Sequence, residues 1–84
     1  MRLDKYLKVS RLIKRRTVAN EACDGSRVTV NGKSAKASYD VKIGDVISIA
    51  FGTKEVSVRV LDIRETTKKT ESVGMYEVLS ETQV

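Results

Sequence analysis

A chain of 84 residues has room for one domain and a thin core, and without a histidine it lacks the usual catalytic triads and transition-metal sites. The 16 Lys and Arg against 11 Asp and Glu give a formal +5, yet the excess sits in residues 1–16, where seven cations face one anion. That asymmetry points to nucleic acid or an anionic surface, while the longest apolar run is too short to cross a membrane as a helix.

Leu3, Tyr6 and Leu7 stand at i, i+3 and i+4 and predict a helix over residues 2–10 with one apolar stripe. Arg2, Lys5 and Lys8 form a basic row on the same helix. Leu12 and Ile13 offer a second apolar contact before the run Lys14, Arg15, Arg16. Val18, Ala19, Ala22 and Cys23 repeat at helical spacing, so a second helix ends near Asp24 with Gly25 at C′.

The β-branched run Val28, Thr29, Val30 reaches Asn31-Gly32, the strongest short hairpin signal. A polar connection through Ser38 leads to a second strand, which begins with the Val41 run, turns at Gly44 and Asp45, and continues over residues 46–49. Val56, Val58 and Val60 alternate with Ser57 and Arg59, the pattern of a strand with one buried face, extending to about Ile63. Residues 64–70 read as a polar loop. The three-residue spacing of Val73, Tyr76 and Leu79 favours a short C-terminal helix, although Gly74 and two valines leave a strand open.

Carboxylate catalysis needs two converging acids, and the acids here are scattered singly. No phosphate-binding Gly loop is present, so neither an enzyme nor a cofactor is expected. Lone Cys23 cannot form an internal disulfide and reads as a buried apolar residue in a reducing compartment. No apolar segment follows the N-terminal charges, so no signal peptide is visible and a cytoplasmic location is expected.

Three cations at a helix start oppose the helix dipole, each by roughly 0.3 to 1 kcal/mol before screening. Stability does not place Lys14, Arg15 and Arg16 there; a phosphate, meeting charges and unpaired N–H groups at one spot, gives a reason. On this reading, removing Arg16 leaves the fold intact or slightly firmer. Tyr6 lies on the core stripe, and Tyr39, Phe51 and Tyr76 are not interleaved with basic positions, so charge and shape recognition of folded RNA fits better than base stacking.

The order Arg2-Leu3-Asp4-Lys5-Tyr6-Leu7, Arg16, Ala19, Gly25, Val28, Val30-Asn31-Gly32-Lys33 resembles the RNA-binding domain named after small-subunit ribosomal protein S4. The resemblance covers residues 1–49. The chain length is similar to the stand-alone, heat-shock-protein-fifteen-like branch, and within it to the RqcP-type factors of bacterial ribosome-associated quality control. It implies an α+β fold: a single S4-like domain over residues 1–84, with two N-terminal helices packed on a small, mostly antiparallel sheet, and residues 50–84 as a C-terminal strand and extension. It also implies an RNA-facing surface made of the helices and the hairpin.

Together with the charge pattern, this gives Arg2, Lys5, Lys8, Arg11, Lys14, Arg15, Arg16 and Lys33 as candidate RNA-binding residues. Two departures stand out: Arg15 replaces the family's usual capping Ser or Thr, and Asn20 replaces a common Arg, so no RNA contact is carried over to Asn20. The partners implied are ribosomal RNA and tRNA on the large ribosomal subunit, with quality-control factors on the obstructed subunit, no membrane, and a monomeric chain. The function implied is support of C-terminal tailing of stalled peptidyl-tRNA complexes; a general ribosome-assembly factor, or a protein adaptor with a basic face, is the alternative.

Overall fold

A computed structural model describes residues 1–63 and 74–83. Helix α1 spans Leu3–Val9 and α2 Arg16–Asp24, within a residue or two of the ranges that the apolar spacing predicts. The strands are β1 Val28–Val30, β2 Lys33–Ser34, β3 Val46–Phe51, β4 Lys54–Val60 and β5 Tyr76–Gln83. They form one antiparallel sheet in the order β2-β1-β3-β4-β5.

Apolar side chains at alternate strand positions meet the helices. Val28, Val30, Ile47, Ile49, Val58 and Val60 are buried with Leu3, Tyr6, Leu7, Ala19, Ala22 and Cys23 in one cluster. Tyr6 is fully buried, and its hydroxyl donates to the Met75 carbonyl at 2.7 Å, which satisfies the polar end of a core residue. That bond ties α1 to the start of β5.

The Asn31-Gly32 reversal is as expected: φ is 53° and 84°, both positive as a type I′ turn requires, and Val30 pairs with Lys33 across it. The turn creates the two-residue strand β2 inside what reads as a polar connection. Beyond it the connection is only partly polar, because Ala35, Ala37 and Val41 are buried. Val41 donates to the Met1 carbonyl rather than joining the sheet, so the strand begins at Val46.

Two further local expectations are corrected. Gly25 is the C-cap of α2, with φ −83°, and the left-handed residue is Ser26 at φ 60°. Arg27 N–H bonds to the Ala22 carbonyl and Ser26 N–H to that of Cys23, a Schellman closure placed one residue later than expected. Glycine at position 25 instead serves a close approach, since a Cβ there would lie 3.1 Å from the Glu21 carbonyl.

The second correction concerns the C-terminal segment, which is the strand β5 and not a helix. The free edge of β4 offers a row of backbone donors and acceptors, and residues Tyr76–Gln83 pair with it along their length, with one register shift near Ser57 and Val58. A non-local edge decides the structure there, whereas three-residue spacing reports only local tendency. Val73 and the expected 64–70 loop lie outside the described residues.

Candidate nucleic-acid interface

The first four residues of the chain are held by the segment that precedes β3. Leu3 N–H donates to the Tyr39 carbonyl at 2.8 Å, Asp4 N–H to that of Ala37 at 3.2 Å, and Val41 N–H to that of Met1 at 2.8 Å. Arg2 is thereby fixed in extended backbone at the N-cap of α1, opposite Asp40.

One residue further on, Asp4 is the organising group. It is 2% exposed although it carries a charge. Oδ1 accepts from Arg2 Nε at 3.2 Å and from Lys5 N–H at 2.8 Å; Oδ2 accepts from Arg16 Nε and Asn20 Nδ2, both at 3.3 Å. Burial pushes the carboxyl upward in pKa, but the hydrogen bonds from Asn20, Arg2, Arg16 and Lys5 outweigh it and hold the group below its ordinary value. Asp4 is an anion at neutral pH, and it draws two guanidinium groups from different helices to one place.

Both arginines meet Asp4 through Nε, and their side chains remain 52% and 49% exposed. A guanidinium bonded on one edge still presents its remaining N–H donors in a planar fork, the geometry that suits a phosphate. The carboxylate also offsets the repulsion between two neighbouring cations.

The other candidates occupy the rim of the same two helices. Lys5 is half-buried and engaged in a further interaction, while Lys8, Arg11, Lys14 and Arg15 are exposed. Arg11 ends α1 with φ 65°, the left-handed region that favours glycine. An arginine there is not accounted for by stability. At the start of α2, Arg15 provides no side-chain cap and the first turn contains no acid. Cations thus stand at the positive end of the dipole, as the sequence indicates.

Lys33 is exposed on β2 and is not part of the Asp4 cluster. A second buried carboxylate, Asp45, lies behind the hairpin. It accepts from Tyr39 Oη at 2.9 Å, Lys42 N–H at 3.0 Å and Asn31 Nδ2 at 3.1 Å. Sequence reasoning missed Asp4, Asn20 and Asp45 as organisers, because an acid among cations reads as an ordinary solvated charge, Asp45 reads as a turn residue, and Asn20 stands out only as a departure from the family's Arg. The Asp4 contact also changes the expectation for Arg16: losing this side chain removes a partner of a buried charge, which offsets the relief of the dipole.

Among the described residues no helix is long and apolar enough to span a membrane, and no cluster of His, Cys, Asp or Glu suits a metal ion.

A family model described as the S4 domain matches residues 1–47. The chain is 57% identical over 84 residues to the RQC P-site tRNA stabilizing factor of Streptococcus pneumoniae, covering 100% of this chain and 96% of that protein. It is also 57% identical over 81 residues to the protein of the same name from Bacillus subtilis, covering 96% and 94%. The solved structure of trimeric heat shock protein 15 from Vibrio cholerae superposes with a TM-score of 0.88 at 31% identity, over 95% of this chain and 82% of that one. The chain therefore belongs to the S4 domain family, on the branch of the RQC P-site tRNA stabilizing factors.

Proposed function

We propose that this chain binds ribosomal RNA and tRNA on the large ribosomal subunit and acts in quality control of stalled translation, holding obstructed peptidyl-tRNA so that C-terminal tailing of the chain proceeds. The observation that carries the reading is the pair Arg2 and Arg16, gathered on buried Asp4 and half exposed. Lys5, Lys8, Arg11, Lys14 and Arg15 extend that surface along the two helices, and Lys33 adds the hairpin. The protein works by binding rather than by chemistry, as a monomer in the cytoplasm.

Physically, the role needs a rigid surface of cations. Hydrogen bonds to charged groups are worth roughly 1.5 to 3 kcal/mol each, provided the donors are in place before the RNA arrives. Anchoring on Asp4 supplies that placement and limits the side-chain entropy lost on binding. The surface reads phosphate and shape, consistent with recognition of folded RNA.

The test is sedimentation with purified large subunits across a salt series. Contacts to phosphate release counterions, so log K falls by about 0.7 to 0.9 per log unit of salt for each phosphate neutralised. Association released by moderate salt is expected. Salt-insensitive binding, or binding to small subunits alone, contradicts the proposal; nuclease-resistant association indicates a protein adaptor, and enrichment on immature particles an assembly factor.

A further inference from the structure

We infer that the outer edge of β5 is a docking strand for a second protein: an extended, cationic segment with an aliphatic centre, added to the sheet as a sixth strand. The edge lies outside the two helices and the hairpin, and its use does not depend on what they bind. β2 and β5 are the two ends of the sheet. β2 is two residues long, whereas β5 runs over eight, and among the described residues nothing pairs with the side of β5 that faces away from β4. A row of unpaired N–H and C=O groups is a template for another strand, and sheets commonly blunt it with lysine or proline. The segment Tyr76–Gln83 contains neither.

Apolar surface gathers at the same end. Val78 stands opposite Val58, which is fully buried, yet Val78 is 54% exposed. The register shift pairs Val58 with Val78 and Ser57 with Ser80, so Leu79 is the extra residue of a bulge, 41% exposed, and a bulge re-aims a side chain out of the regular alternation. Exposed Phe51 ends β3, and exposed Leu61 follows β4. Two adjacent aliphatic side chains beside unpaired backbone offer an added strand both contacts it uses, main-chain hydrogen bonds for affinity and side-chain contacts for selectivity.

Charge selects the occupant. Over residues 46–63 and 74–83, two cations, Lys54 and Arg59, stand against four acids, Glu55, Asp62, Glu77 and Glu81. That balance, the reverse of residues 1–16, disfavours phosphate. A second copy is disfavoured too: β5 carries two acids and no cation, so β5 against β5 sets like charges across the new pairing. Glu77 stands opposite Arg59 and Glu81 opposite Val56, and Arg59 and Val56 point to opposite faces of β4, so the two acids flank the edge on both faces. Their partners, Arg59 and Lys54, form exposed pairs that hold them weakly. A segment with cations at both ends of an aliphatic centre meets Glu77 and Glu81 and covers Val78 and Leu79.

The experiment titrates the isotope-labelled full chain with the end-capped peptide Lys-Lys-Val-Ile-Val-Lys-Lys and follows the backbone amides and their hydrogen exchange. Shifts centred on β5 are expected, with slower exchange at the β5 amides that point away from β4, and no binding of Glu-Glu-Val-Ile-Val-Glu-Glu. Leu79→Lys and Ile43→Lys each place one positive charge on an exposed apolar position, and only Leu79→Lys is expected to weaken peptide binding, by about tenfold or more. Should the amide spectrum of Leu79→Lys show a lost fold, Val78→Thr, which keeps the β-branched shape, is read instead and is expected to weaken binding severalfold. Arg2→Ala is expected to bind the peptide as the parent does. Equal losses in the two lysine variants, equal binding of the acidic peptide, or shifts centred on α1 and α2 overturn the docking strand. Outer β5 amides already slow to exchange without peptide overturn it in favour of an edge covered by the chain itself, and concentration-dependent self-association lost in Leu79→Lys overturns it in favour of a second copy.

Discussion

Replacing Asp4 by Asn changes the shape of the side chain least and its chemistry most. Asn retains one acceptor oxygen, so it can satisfy either Arg2 and Lys5 or Arg16 and Asn20, and its NH2 group then faces two donors on the other side. Leaving buried donors without acceptors costs roughly 1 to 3 kcal/mol each. Arg2 and Arg16 are each about half exposed and rehydrate, so their share is discounted, which leaves a loss of about 2 kcal/mol. For a domain of this size, about 4 to 8 °C per kcal/mol gives a fall in Tm of about 8 to 16 °C. Binding to large subunits gives the sharper readout. The substitution removes a negative charge, so attraction by bulk charge predicts tighter binding, whereas placement of the two arginines by Asp4 predicts weaker binding. Thermal melts and affinities at one salt concentration decide between them. A variant that melts within about 2 °C of the parent and binds RNA more tightly refutes the reasoning.

Acid should expose the same carboxylates. Burial raises the pKa of Asp4 and Asp45, but their hydrogen bonds outweigh it and both groups lie below the ordinary value. A depressed folded pKa contributes stability that is present above the unfolded pKa of about 3.9 and lost as pH falls through the folded value. Melts should therefore be flat from neutral to about pH 5 and drop below about pH 4, less steeply in Asp4→Asn; identical slopes contradict the assignment. Arg11→Gly and Ser26→Gly each relieve a left-handed residue, a strain of about 1 to 2 kcal/mol offset in part by glycine's greater unfolded-state entropy. Both should raise Tm, but only Arg11→Gly should weaken RNA binding; equal binding by the two removes Arg11 from the site. Cys23→Ser places a hydroxyl on the buried face of α2 and should destabilise by about 1 to 3 kcal/mol while the folded protein binds RNA as before. The same burial pushes the thiol pKa up to about 11, so native protein should react slowly with thiol reagents at neutral pH.

Helical spacing in α1 and α2, the Asn31-Gly32 turn and the alternating valines of β4 are local patterns, and each is legible in the sequence because the element's own residues determine it. β5 is not, since its state depends on the edge that β4 leaves open 16 to 29 positions earlier in the chain. Ser26 illustrates a smaller failure: glycine next to a helix end suggests the left-handed position, yet glycine also suits a close approach to the Glu21 carbonyl, and Gly25 serves the latter. At the interface, the cations are legible through their clustering. Their organisation is not, because Asp4 and Asp45 become structural only when residues 12 or more positions away close over them.

On the proposed function, two placed arginines, rather than the chain's overall charge, hold the RNA. Affinity for large ribosomal subunits at one salt concentration, compared across Arg2→Ala, Arg16→Ala and Lys54→Ala, tests it most directly. Each variant removes one positive charge, and Lys54 is an exposed residue at the start of β4, paired with Glu81 of β5 and outside both helices. Loss of a charged hydrogen bond worth roughly 1.5 to 3 kcal/mol means a drop of about tenfold or more, expected for both arginine variants, with little change for Lys54→Ala. Equal losses in all three contradict the claim and reduce the binding to non-specific charge.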